Sequence, residues 1–195
     1  MSLSSFLPFA VRGLTNEVLL LSLDVSPFQV ARQLRQKVKY NKARVLDLCC
    51  GVGTSTRVLR DAFPEAEAVI GMDTSLEMIS MANFLAQHTK KMTKGVNYSA
   101  ATFTCGNAEC TEFPDRSFDL VTIMYAFHEV PREGRDRMIR EARRILEPGG
   151  TLAIVDIHTD FKPPPSMLLG EPYGTQHKCT RDHLLSTMIS LETYL

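Results

Sequence analysis

Between residues 43 and 157 short apolar runs alternate with amphipathic stretches, and each run ends on residues that stop or turn the chain. The first, Val45-Leu46-Asp47-Leu48-Cys49-Cys50, stops at Gly51-Val52-Gly53, and the amphipathic segment Arg57 to Phe63 follows until Pro64. That order predicts strand, glycine turn and helix. A second run, Ala66 to Met72, closes on Asp73. Thr74 with Glu77 then reads as a capping box opening a helix whose buried face is Met78, Ile79, Ala82 and Leu85. The polar stretch Gln87 to Ser99, with Lys90, Lys91 and Lys94, reads as a solvated surface connection. Strands are predicted at 101–105 and 118–124, a helix at 132–146 with Met138, Ile139, Ala142, Ile145 and Leu146 on one stripe, and a last strand at 151–157 after Pro148-Gly149-Gly150. Strands alternating with helices predict an α/β fold with a parallel sheet.

The flanks are less periodic. Residues 1–42 predict a helical cap of two pieces: about Leu14–Leu23, and about Pro27–Val38 with Ser26 as its cap and Phe28, Ala31, Leu34 and Val38 at helical spacing. This cap is expected across the mouth of the site. After Ile157 come a proline run, Pro163-Pro164-Pro165, a polar stretch, and a helix expected at about 181–194. With no strand pair visible there, the fifth strand is expected to keep an uncovered apolar edge, open to pairing with a second copy in a homodimer.

The glycine turn carries the chemistry. Glycines at the carboxyl end of a parallel strand let a ligand lie against bare backbone at a helix N-terminus. Asp73, twenty residues beyond Gly53, ends the next strand where ribose hydroxyls would be gripped. A dinucleotide fingerprint asks for a third glycine; Thr56 stands in its place, which argues against a pyrophosphate.

The ordered set Asp47-x-Cys49-Cys50-Gly51-x-Gly53, Asp73, Gly106-Asn107-Ala108-Glu109, Phe118-Asp119-Leu120-Val121 and Leu146-Glu147-Pro148-Gly149-Gly150 resembles the class I S-adenosylmethionine-dependent methyltransferases over about Ala43 to Asp156. The nearest flavour is the small-molecule type that includes quinone-biosynthesis C-methyltransferases. The resemblance implies a doubly wound, mostly parallel sheet in the order 3-2-1-4-5 with helices on both faces, and S-adenosylmethionine as methyl donor. A complete fold of this kind has two further strands, for which the residues after Ile157 show no pattern. The resemblance also implies that Asp47 and the Gly51 and Gly53 turn face the methionine part of the cofactor, Asp73 the ribose, and Asn107 and Ala108 the adenine. Cys49, Thr74, Met78 and Tyr125, around the same turns, complete the expected set; core packing alone would explain Met78.

The loop after the fourth strand brings His128 and Glu129 to the same edge. Either could remove a proton from a nucleophile; alternatively His128 bonds to backbone and Glu129 caps the next helix.

Composition narrows the partners. The 22 basic and 22 acidic residues balance, so no net positive field gathers nucleic acid. The five cysteines contain no Cys-x-x-Cys pair, which disfavours disulfides and a metal site and suits a reducing, cytoplasmic setting. Three serines, one arginine and no acid among the first sixteen residues leave an organelle address open. No apolar run approaches the about 18 residues a membrane helix needs. The reading is methyl transfer to a small-molecule acceptor. The alternatives are an inactive methyltransferase-like partner subunit and, more remotely, a nicotinamide-dependent oxidoreductase.

Overall fold

The computed structural model describes residues 9–12, 17–22, 27–38, 42–92 and 101–156. In chain order the elements are β1 (Phe9–Arg12), β2 (Glu17–Ser22), α1 (Pro27–Lys37), β3 (Arg44–Leu48), α2 (Thr54–Ala62), β4 (Ala68–Asp73), α3 (Leu76–Met92), β5 (Thr102–Cys105), β6 (Phe118–Met124), a 3₁₀ turn (Phe127–Glu129), α4 (Arg132–Ile145) and β7 (Leu146–Asp156). The sheet runs β1-β2-β7-β6-β3-β4-β5. Its five strands from β7 to β5 are parallel to their neighbours and reproduce the expected order 3-2-1-4-5.

The alternation of side chains along each strand divides the core. Leu46, Leu48, Val121, Ile123, Leu152 and Ile154 pack under Met138, Ile139, Ala142 and Ile145 of α4. Val45, Val69, Leu120, Ala153 and Val155 meet α1 and α2 through Val30, Leu34, Val58 and Leu59. Burying each large aliphatic side chain contributes about 1.5–3 kcal/mol. Progression along the sheet reverses between β3 and β6, and such a reversal opens a crevice at the carboxyl ends of the strands.

Several expectations are corrected. The segment around Val18-Leu19-Leu20-Leu21 is strand β2, not helix, because a short apolar run suits either state and the edge of β7 offers unpaired backbone groups. β2 pairs parallel to β7 from Glu17 opposite Thr151 to Ser22 opposite Asp156, and β1 pairs antiparallel to β2. The fifth predicted strand therefore has no open edge along this register, and the basis for a homodimer through it is gone. Helix α1 lies on the sheet face beside α2; Phe28 is 67% exposed, and Val30 fills the apolar position in its stead. The cap of α3 is Ser75, not Thr74: the Ser75 hydroxyl accepts from the Met78 N–H at 3.2 Å and donates to Glu77 at 2.8 Å. Met78 is exposed, since the buried stripe passes through Ile79 and Ala82. Helix α3 runs on to Met92, so the surface connection does not begin at Gln87. Ser26 and everything expected beyond Asp156 lie outside the described residues.

Candidate functional site

The turn after β3 is built on one buried carboxylate. Asp47 is 0% exposed. One of its oxygens accepts the Ser55 and Thr56 hydroxyls, each at 2.6 Å, and the other accepts Thr122 Oγ1 at 2.7 Å. Burial pushes the Asp47 carboxyl up, while the three hydroxyls pull it down. Asp47 thus sits beneath the turn, tying β3 to the first turn of α2 and to β6. Thr56, at the position where a dinucleotide fingerprint has glycine, is used for this bond.

Above it the backbone is bent and bare. Gly51 has φ +53 and Gly53 φ +76. A Cβ on Gly51 would meet nothing within 4 Å, whereas one on Gly53 would lie 2.4 Å from the Phe103 ring. Gly53 is therefore needed for packing under the turn, and Gly51 faces open space. Of three side-chain-bearing residues with this backbone among the described residues, two, Cys49 at φ 58 and Tyr125 at φ 60, lie just past the ends of the adjacent strands β3 and β6; the third is Arg116. Left-handed backbone costs about 1–2 kcal/mol per residue with a Cβ. Such outliers gather at functional sites.

Asp73 ends β4 beside this turn. Its Oδ2 accepts the Gly51 N–H at 2.9 Å and its Oδ1 the Ser75 N–H at 3.0 Å. A carboxylate has about four lone-pair sites, so each oxygen retains capacity for a hydroxyl donor. Next along the edge, the Gly106 N–H donates to the Asp73 carbonyl at 3.0 Å, and Asn107 turns the chain by accepting the Glu109 N–H at 2.9 Å. Ala108 is buried in the core; Thr74 is exposed, its carbonyl accepting from the Cys105 thiol at 3.4 Å. Burial first, then Asp73 and Asp47, pushes the Cys49 thiol up to about 12, so it serves as a neutral packing group. Tyr125 is half-buried and its phenol is also raised, by burial and then by Asp156.

The turn after β6 carries His128 and Glu129. The Asp156 carboxylate accepts the His128 backbone N–H at 2.7 Å and contacts its Nδ1 at 2.6 Å. Arg135 braces the same turn, donating to the carbonyls of Val130 at 2.7 Å and His128 at 3.2 Å, with its guanidinium over the Phe127 ring. The hydrogen bond to Asp156 raises the His128 pKa against the opposing effect of burial. Glu129 is 78% exposed, its carboxylate 3.8 Å from His128 Nε2. It does not cap α4, which begins after Pro131 without a side-chain cap.

The fold brings together Cys49, Gly51, Gly53 and Asp73 directly, and strand order places Asn107 and Tyr125 on the same edge. Asp156, Ser55 and Thr122 were missed. For Asp156 the signal was present, a carboxylate closing an apolar strand just as Asp73 does; the two hydroxyls carried none. No helix among the described residues is long and apolar enough to cross a membrane, and no group of metal-ligating side chains occurs among them.

An open glycine turn with a carboxylate one strand away, at the reversal point of a parallel sheet, defines a nucleoside-binding α/β protein. Residues 45–150, just over half of the chain, match the methyltransferase domain family, and the chain belongs to it. It is 32% identical over 133 residues to a 2-phytyl-1,4-naphthoquinone methyltransferase of Synechococcus elongatus, covering 66% of this chain and 54% of that protein. To a demethylmenaquinone methyltransferase of Bacillus licheniformis it is 35% identical over 114 residues, 58% of this chain and 44% of that one. The chain spans about half the length of the curated relatives it matches. A SAM-dependent methyltransferase structure from Aquifex aeolicus shares the fold, with a TM-score of 0.58 at 21% identity over 73% of this chain and 71% of that one.

Proposed function

We propose that this chain transfers a methyl group from S-adenosylmethionine to a quinone-type small molecule. The observation that carries the proposal is the pairing of Gly51, whose missing side chain leaves open space, with the Asp73 carboxylate bonded to its N–H. The Gly51–Gly53 backbone would hold the amino acid part of the donor, Asp73 its ribose hydroxyls, and the Asn107–Ala108 turn its adenine. Asp47 acts from below, holding the turn in shape through three hydroxyls.

The bound donor supplies a methyl group on a positively charged sulfur, a leaving group already activated. The protein's share is alignment of the nucleophile with that methyl group and exclusion of water. Family membership supports methyl transfer, the names of two relatives support a quinone-type acceptor, and the balanced charge gives no reason to expect a nucleic acid. Five cysteines, odd in number and without a Cys-x-x-Cys pair, support a reducing, cytoplasmic setting.

Calorimetry with S-adenosylhomocysteine tests the reading. Wild type should bind, and Asp73→Ala should bind about 1–3 kcal/mol more weakly because the ribose hydroxyls lose their acceptor. Absence of heat at high ligand concentration would instead favour an inactive partner subunit, and tight binding of reduced nicotinamide an oxidoreductase.

A further inference from the structure

We infer that His128 and Asp156 form a proton-accepting pair in which Asp156 fixes the ring and His128 Nε2 takes the proton of the acceptor's hydroxyl. The inference rests on the methyltransferase reading and adds the acceptor's chemistry: a quinol or phenol, whose nucleophilic form appears only when an O–H is lost.

Three observations carry it. The first is the double hold: each Asp156 oxygen meets His128, one at its N–H at 2.7 Å and one at Nδ1 at 2.6 Å. Since a carboxylate only accepts, the ring nitrogen facing it carries the proton, and neutral His128 keeps its lone pair on Nε2. The second is burial. Asp156 has 6% of its side chain exposed and His128 22%, so the bond is shielded while the ring stays reachable. The third is place. His128 is three residues past Tyr125, whose N–H donates to the Val155 carbonyl at 2.7 Å. The pair thus stands at the carboxyl ends of β6 and β7, beside the glycine turn of β3.

The charged and titratable groups around the ring are Asp156 on β7, Glu129 on its own turn, Arg135 on α4 and Tyr125 after β6. Glu129, at 3.8 Å and largely exposed, can give way to an acceptor hydroxyl. In the step, the hydroxyl proton passes to Nε2 and the oxygen's electrons are released into the ring. The ring carbon forms a bond to the methyl group while the carbon–sulfur bond breaks, its pair remaining on sulfur as a neutral thioether. The proton displaced from that ring carbon leaves to water, restoring the aromatic ring as its oxyanion, and the imidazolium returns its proton to that oxygen, leaving the methylated quinol and neutral His128.

Nitrogen NMR of the labelled protein bound to S-adenosylhomocysteine tests the pair without turnover. The expected result is neutral His128 protonated on Nδ1, with a titration midpoint above the ordinary value of about 6.5 that falls in Asp156→Asn. In assays with S-adenosylmethionine and a 1,4-naphthohydroquinone lacking a ring methyl, the acidic limb of kcat/KM should move down with that midpoint. His128→Asn keeps an N–H donor for Asp156 but has no base; at pH above the raised midpoint it should melt as wild type does, bind S-adenosylhomocysteine equally well, and lose about 10²-fold or more in kcat. A proton on Nε2 of neutral His128, or full turnover by His128→Asn, overturns the pair. Failure of the wild type to bind S-adenosylhomocysteine would overturn the methyltransferase reading instead, independently of the tautomer.

Discussion

Asp47 and His128 show opposite ways of holding an ionisable group. Asp47 is dry, and its compensation among the described residues is three hydroxyls from three positions of the chain. Removing it takes their shared carboxylate away, leaving Thr122 a longer bond to the Leu46 carbonyl at 3.5 Å, and an unsatisfied buried hydroxyl costs about 1–3 kcal/mol. Asp47→Ala should therefore lower stability by about 2–4 kcal/mol in urea unfolding, and Asp47→Asn by less, because the amide oxygen still accepts and the raised carboxyl already resists its charge. A milder Ala than Asn variant would mean the hydroxyls find other partners. For His128 the sign runs the other way. Its folded pKa is raised by the bond to Asp156, so the folded state binds the proton more tightly than the unfolded chain does. The pair's stabilisation is complete below about pH 6.5 and is lost as pH rises through the raised folded value. The stability gap between wild type and Asp156→Asn should accordingly narrow across that window, as urea midpoints at several pH values would show.

At the scale of elements, the glycine turn between β3 and α2 separates packing from binding. Gly51→Ala introduces a Cβ into open space at φ +53, so its stability cost should be only the backbone's, about 1–2 kcal/mol. Its affinity for S-adenosylhomocysteine should nonetheless collapse, because the added methyl group takes the ligand's place against the backbone. Gly53→Ala adds to the same backbone cost a collision at 2.4 Å with Phe103 and should lose appreciably more stability. Paired melting and calorimetry separate the two; equal melting temperatures would show that Phe103 swings aside without penalty. The β5–β6 connection is held in a different manner. Glu141 on α4 accepts both the N–H and the hydroxyl of Thr111 while Arg144 bonds to Glu141, so charge adds to the apolar contacts of Ala108 and Phe113 in docking this loop.

For the molecule as a whole, the N-terminal strands complete the sheet. β2 runs the length of β7 from Thr151 to Asp156, which places the start of the chain beside the strand that carries Asp156. Deleting residues 1–22 would expose that row of backbone donors and acceptors, and exposed edges recruit other chains. Light scattering should then find oligomers or aggregates where the full chain does not form them. A monodisperse monomer after deletion would show that β7 is protected by some other part of the chain.

What the linear order of residues determined was the stretch where local pattern and tertiary role agree. Five strand-like runs, a glycine turn and an acid after the second run led to the parallel sheet and the edge bearing Gly51 and Asp73, because buried strands and glycine turns leave local signatures; the strand order was implied only by the family resemblance. The N-terminal strands carried no such signature: Val18-Leu19-Leu20-Leu21 suits helix or strand, and only the partner β7, more than a hundred residues away in the chain, decides between them. Ser75 replaced Thr74 as the cap because β4 extends through Asp73, delaying the first helical residue to Leu76. Long-range polar bonds were equally hidden. Thr122 reaches Asp47 across 75 positions and Asp156 reaches His128 across 28, distances that only strand pairing can close.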